Sequence, residues 1–401
     1  MPDNKAHDRH PLAVFLIFLR LGLTSFGGPI AHLGYFRDEF VTRRKWLSER
    51  SYADLVALCQ FLPGPASSQV GLALGFSHAG YGGALAAWAG FTLPSAIALM
   101  LFAMGFTTFG ERLPAGVLDG LKIVAVAVVA QAVWGMAKNL CTDGTRVTIM
   151  ALATCAALVF PAAVGQIVVI LMAAMLGLAV FKPKDLGEHD PLPLMVGRRT
   201  GLLFFFLFLS ILAGLPFLAE VMPGQAISMA DAFYRAGSLV FGGGHVVLPL
   251  LQAEVVPSGW VDNDAFLAGY GAAQAVPGPL FTFSAFLGAS MAGDPSGAVG
   301  AAICLAAIFT PSFLLVFAAL PFWEKLRRSS LMQAALAGIN AAVVGLLLAA
   351  LYHPVWTSAI DGPQDFSIAL LAFVGLVFWK LPPWLVVLCS GLAGGAVTLF
   401  I

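Results

Sequence analysis

Residues 18–28 read FLRLGLTSFGG, and residues 233–243 read FYRAGSLVFGG, at a constant offset of 215. The correspondence extends outward from there. Arg20 pairs with Arg235 and Glu39 with Glu254 at the same offset, and a shift of one residue aligns Trp46 with Trp260 and Gln60 with Gln274. The tripeptide Pro63, Gly64, Pro65 then matches Pro277, Gly278, Pro279, and farther on Pro94 and Ser95 match Pro311 and Ser312. Self-similarity at a fixed offset marks a duplicated unit. The reading predicts two membrane repeats, 12–182 and 230–401, joined by a loop and a linking apolar helix within 183–229.

Composition sets the solvent. Apolar residues make up 59% of the chain and charged residues 10%, with 32 Phe and a mean hydropathy of +0.90; soluble domains carry about 25% charged residues. The expected fold class is an all-α polytopic membrane protein. Lys and Arg (21) balance Asp and Glu (21), so no basic surplus is left to hold nucleic acid. Cys59, Cys141, Cys155, Cys304 and Cys389 are scattered without a C-x-x-C, which points to no disulfide and no metal site. Lys5 and Arg9 precede an apolar run from Leu12 with no A-x-A-like site after it, so a retained first segment is expected rather than a signal peptide.

Loop charges predict orientation, because cytoplasmic loops are rich in Lys and Arg. Residues 37–50 carry Arg37, Arg43, Arg44, Lys45 and Arg50, whereas the equivalent 254–264 has no Lys or Arg. Equivalent loops are therefore expected on opposite faces, which inverts one repeat relative to the other. The loop with Lys182, Lys184, Arg198 and Arg199 and the run from Lys325 to Arg328 read as cytoplasmic, and 353–365 as periplasmic. These assignments agree only if 12–36, 51–78, 233–253 and 265–293 are re-entrant hairpins. Each repeat then has four full spans and two hairpins, with the N-terminus inside and the C-terminus outside.

Irregular backbone is tolerated at membrane depth only where protein or water satisfies it. The glycine- and proline-rich tips therefore predict a cavity, and the helix N-termini that follow them offer free amides and the positive end of a dipole to an anion. Gly27-Gly28, Pro63-Gly64-Pro65, Gly242-Gly243-Gly244 and Pro277-Gly278-Pro279 form the tips, with hydroxyls of Thr24, Ser25, Ser67, Ser68, Thr282 and Ser284 beside them. Caps and helix contacts would use the same residues. Arg20 and Arg235 are charges in apolar segments, which suits an anion path or snorkelling. Gln60 and Gln274 donate to substrate or tie the hairpins. Glu39 and Glu254 carry a coupling proton or pair with arginine, and His245 senses pH or is simply hydrogen-bonded. Lys122 is read as snorkelling and Asn340 as an interhelical bond.

The motifs Phe26-Gly27-Gly28-Pro29, Trp46-Leu47, Gln60-Phe61-Leu62-Pro63-Gly64-Pro65, Phe241-Gly242-Gly243-Gly244-His245 and Gln274-Ala275-Val276-Pro277-Gly278-Pro279 resemble the chromate ion transporter family in its long two-domain form. The resemblance covers nearly the whole chain. It implies chromate efflux and chromate resistance in a bacterial inner membrane, with sulfate as a competitor. The second repeat departs from the first in having Gly244-His245 where the first has Pro29-Ile30, so the two halves are not expected to bind substrate equivalently.

No G-x-x-x-x-G-K-[ST] occurs, so transport is expected to be secondary, driven by membrane potential or proton motive force and without a cofactor. A sulfate or other oxyanion transporter or exchanger, or an anion channel, fits the same pattern. An enzyme does not, since the spans hold no nucleophile and base pair. A homodimer is the expected assembly.

Overall fold

The structure, a computed structural model, describes residues 10–109, 115–182 and 196–400. Among the described residues it is helical with no strand, and six helices are long and apolar enough to cross a membrane. The protein is thus an all-α, polytopic membrane protein. Large apolar side chains such as Leu203, Phe206 and Phe217 on the linking helix stand exposed, as lipid-facing side chains must.

In the first half, α1 (Pro11–Thr24) and α2 (Gly28–Arg37) are two pieces of one broken unit, followed by α3 (Glu49–Phe61) and α4 (Ala66–Phe109). The long α4 is not straight. Ala79 and Gly80 leave helical geometry, and Gly80 has φ +59. In a continuous helix Gly75 and Gly83 would lie about 12 Å apart; here each lies against the other's carbonyl oxygen, so the chain folds back on itself. Only residues without a side chain allow two backbones that close. The second half repeats the device with separate helices: α11 (Asn263–Ala273), α12 (Phe283–Ser290) and α13 (Gly297–Ala319), where Gly288 meets Gly300. Its own first broken unit is α9 (Gln225–Leu239) and α10 (Val247–Val255).

The remaining helices cross between the halves. α5 (Ala115–Leu140) packs against α16 (Pro363–Val377) and α17 (Pro383–Phe400), whereas α15 (Ser330–Ala350) packs against α6 (Gly144–Val159) and α7 (Ala163–Val180). Small residues seat both exchanges: a Cβ on Gly120 would lie 2.8 Å from the Gly391 Cα, and one on Gly177 would lie 3.1 Å from the Gly338 Cα. The linking α8 (Arg198–Val221) lies against α9 and α13, and a short α14 (Trp323–Arg327) precedes α15.

Polar contacts gather at two ends of this bundle. At one, Trp46 stacks on His78 with centroids 3.6 Å apart, and Arg327 meets Asp54 at 2.9 Å. At the other, Lys122 meets Asp264 at 3.1 Å, Asn263 donates to the Ser358 hydroxyl at 2.9 Å, and Gln225 donates to the Ala292 carbonyl at 2.7 Å. The Lys122 ammonium is held between Asp264 and Asp119, the latter at 2.8 Å, and both carboxylates are exposed.

Candidate functional site

Four helix breaks meet in one place. α1 ends at Thr24, Ser25 is extended, Gly27 and Gly28 take φ +100 and +76, and α2 begins. α3 ends at Phe61, Leu62 is extended, Gly64 takes φ +120, and α4 begins at Ala66. In the second half Val240 is extended after α9, Gly242 and Gly243 take φ +75 and +155, and a 3-10 turn, Gly244–Val246, opens α10. Gly278 takes φ +100 after α11, and the 3-10 turn Leu280–Thr282 opens α12. Positive φ is the left-handed region that L side chains avoid, so these glycines are required by the turns.

The breaks are tied together reciprocally. The Gly64 amide donates to the Val240 carbonyl at 2.7 Å, and the Gly278 amide donates to the Ser25 carbonyl at 2.9 Å. Val240 stands at Ser25's position in the second sequence copy, and Gly278 at Gly64's. Two serines cover the glycines: Ser312 Oγ would lie 2.5 Å from a Cβ on Gly64, and Ser95, whose hydroxyl donates to the Pro277 carbonyl, abuts Gly278. Both were visible in the sequence as repeat landmarks, but nothing in the sequence placed them over the tips.

Around this knot lies a set of buried polar atoms with no hydrogen-bond partner: Ser25 Oγ, His32 Nε2, Ser68 Oγ, Gln69 Oε1, Gln274 Nε2, Ser284 Oγ and Ser312 Oγ. Buried polar groups are nearly always satisfied, so these atoms are open to a polar occupant. Ser67 is buried against His32, with Nδ1 3.4 Å from Oγ. Thr282 has committed its proton to the Pro279 carbonyl at 2.8 Å, and Thr24, which is exposed, donates to the Arg20 carbonyl. His245 Nδ1 is 2.8 Å from the Tyr270 hydroxyl. Gln60 is exposed on α3, as are Gly27 and Gly242, and the Asn340 Oδ1 lies without a partner near Gly242. His32 and Gln69, whose amide donates to the Pro63 carbonyl at 2.7 Å, escaped the sequence reading because neither recurs in the second copy.

The two arginines are not brought to the tips. Arg20 pairs with Glu39 at 2.6 Å, and Glu39 also meets Arg44 at 2.8 Å and Arg43 at 3.5 Å. Arg235 pairs with Asp231 at 2.8 Å and with Glu254 at 3.1 Å. Glu39 and Glu254 lie 11 residues beyond Gly28 and Gly243, about 16 Å along a helix from each tip, so both guanidinium groups point to the hairpin bases. The pairing has a direct cause: a charge in an apolar segment is costly unless an opposite charge accompanies it.

A model of the chromate transporter family matches residues 12–178 and again residues 227–395. The chain belongs to the chromate transporter family. The chain is similar to a probable chromate transport protein of Synechococcus elongatus, 27% identical over 94% of this chain and 93% of that protein. It is likewise similar to the chromate transport protein of Pseudomonas aeruginosa, 29% identical over 95% of this chain and 91% of that one. The uncharacterized transporter YwrA of Bacillus subtilis is 28% identical over 180 residues, which are 43% of this chain and 97% of that protein. No solved structure matches.

As a chromate transporter family member the chain is a transport protein and not an enzyme. The tip segments suit anion transport in this family: residues 24–30, 62–69, 240–246 and 274–284 contain no Asp, Glu, Lys or Arg. A cavity of about 460 Å³ opens beside α10, lined by Gln166, Pro249, Gln252, Asn263, His353 and Ser358 among others. Gln166 reaches across it to the Pro249 carbonyl at 3.2 Å.

Proposed function

We propose that this chain exports chromate from the cytoplasm across a bacterial inner membrane and so confers chromate resistance. The observation that carries this reading is the reciprocal pairing of Gly64 with Val240 and of Gly278 with Ser25, which gathers four helix-opening turns and their unpartnered donors at a carboxylate-free point. A tetrahedral dianion offers only acceptors, and the unpartnered hydroxyls with the Gln274 amide answer it without a competing anion. The relatives named as chromate transport proteins choose chromate among such anions. Sulfate presents the same acceptor array and competes.

The two repeats, 12–182 and 230–401, cross the membrane in opposite senses, with the N-terminus cytoplasmic and the C-terminus periplasmic. Two contacts agree with this: Arg327, in a run that reads as cytoplasmic, meets Asp54 next to the basic loop 37–50, and Asn263, in the equivalent loop of the second copy, meets Ser358 in the loop that reads as periplasmic. The cavity beside α10 lies at the Asn263 end and serves as the outer vestibule. The clusters at the hairpin bases differ in sign, three arginines to one carboxylate around Glu39 and one arginine to two carboxylates around Arg235. A dianion is thereby attracted on the cytoplasmic side. Its exit is downhill in voltage by about 2.3 kcal/mol per charge per 100 mV, about 4.6 kcal/mol in all, so membrane potential suffices as the driving force.

Everted membrane vesicles energised with NADH test the reading. Radiolabelled chromate is expected to accumulate, to be lost with an uncoupler and to fall with excess sulfate. Vesicles that hold folded protein yet accumulate no more than empty ones would refute chromate as the substrate.

A further inference from the structure

His32 lies on α2, one turn beyond the first tip, and is 1% exposed. Its ring stands edge-on to Phe91 at 5.2 Å, and the Phe91 carbonyl in turn abuts Gly278, at 3.2 Å from where a Cβ would be. The imidazole is therefore built into the knot rather than set beside it. Its two nitrogens meet different surroundings. Nδ1 faces the Ser67 hydroxyl at 3.4 Å, whereas Nε2 is buried with no partner. Ser67 sits in the first turn of α4, directly after the Gly64 tip. The ring also lies within reach of the Ser25 carbonyl, which accepts from the Gly278 amide and has a second lone pair toward the imidazole.

We propose that His32 is a substrate-positioning residue of the anion site, donating from Nε2–H to an oxygen of the bound tetrahedral oxyanion. The Ser67 hydroxyl, free to rotate, donates to Nδ1 and so holds the ring proton on Nε2. That leaves one buried N–H donor without a well-formed hydrogen bond, beside a carbonyl already engaged once, and an acceptor-only ligand satisfies it better. Hydroxyls of Ser25 and Ser68 lie unpartnered in the same knot and complete a donor face.

The second copy has no equivalent. Val247 stands at the position of His32, and its own histidine, His245, is already satisfied by Tyr270 at 2.8 Å. The two half-sites are thus unequal, and the first repeat supplies the more demanding one. This inference rests on the oxyanion reading above.

The test compares His32→Leu with His32→Gln, whose amide keeps an N–H donor near the Nε2 position. In chromate uptake by everted vesicles, His32→Leu is expected to raise KM roughly tenfold or more while kcat changes by less than about threefold, and His32→Gln to keep KM within about threefold of the parent. A purely structural histidine would give the same defect in both variants, and an idle one would give none. Either outcome overturns the proposal. Chromate- and sulfate-induced thermal stabilisation of the detergent-purified protein separates this from the substrate question. If the parent binds sulfate and not chromate, the Leu and Gln variants are compared on sulfate with the same expected split. If the parent binds neither, His32's role falls together with the oxyanion reading.

Discussion

Gly64→Val and Gly278→Val are each expected to abolish transport and to cut the yield of folded protein sharply. At Gly64 the backbone has φ +120, and a Cβ there would lie 2.5 Å from Ser312 Oγ and 2.8 Å from Gln69 Nε2. At Gly278 φ is +100, and a Cβ would strike Ser95 Oγ and lie 3.2 Å from the Phe91 carbonyl. The strained dihedral alone costs about 1–3 kcal/mol. The larger effect is displacement of the amides that donate to Val240 and Ser25, because those two bonds hold the halves' tips in register. Trimming the serine does not rescue the variant: Gly64→Val with Ser312→Ala relieves one contact and leaves the dihedral. Gly80 is the control. Its φ is +59 with ψ −151, a conformation essentially reserved for glycine, but a Cβ there meets nothing within 4 Å, so Gly80→Ala is expected to show the dihedral cost alone and to keep more folded, transporting protein than Gly64→Val. Monodisperse yield in detergent and vesicle uptake read both effects; a Gly64→Val protein that transports like the parent would show that the tips do not need this geometry.

The second large effect is expected at the ion pair between Asp54 and Arg327. Their side chains are 2% and 6% exposed and 2.9 Å apart, and the Trp323 indole donates to the other carboxylate oxygen at 3.2 Å. The pair fastens α3, in the first copy, to α14 in the second. Arg327→Leu strips a buried carboxylate of its guanidinium, which destabilises by about 3–5 kcal/mol. The double variant Asp54→Leu with Arg327→Leu leaves no lone carboxylate at position 54 and is expected to regain part of that loss. Thermal unfolding of the four proteins of this cycle measures the coupling. Additive losses, with the double variant worse than either single one, would contradict a mutually compensating buried pair.

Much of this was legible in the sequence because it is local or repeated. The tip glycines announce left-handed turns by residue type, and six of the seven named from the sequence take positive φ, whereas Gly244 opens the 3-10 turn instead. The pairing of Arg20 with Glu39, and of Arg235 with Glu254, was open as one of two readings because both pairs recur at one offset. Membrane embedding follows from composition alone. What stayed hidden is tertiary. Nothing in a one-dimensional pattern says that Gly64 bonds to Val240 rather than to its own copy, or that α6 and α7 pack on α15 while α16 and α17 pack on α5. Ser95 and Ser312 looked like landmarks because their role lies in what faces them across the knot. His32 carried no signal, since a lone histidine in an apolar segment reads as any hydrogen-bonded core residue.

A shared central site requires the two repeats to face opposite ways, for only then do helix N-termini from both halves point to it from opposite membrane faces. Single cysteines at Arg50 and Ser258, both exposed and in equivalent loops, decide this in an otherwise cysteine-free protein labelled in intact cells with a membrane-impermeant maleimide. Labelling of Ser258→Cys from outside, with Arg50→Cys reached only after the membrane is opened, is the predicted result. Labelling of both from the same face would contradict the inversion and the shared anion site built on it.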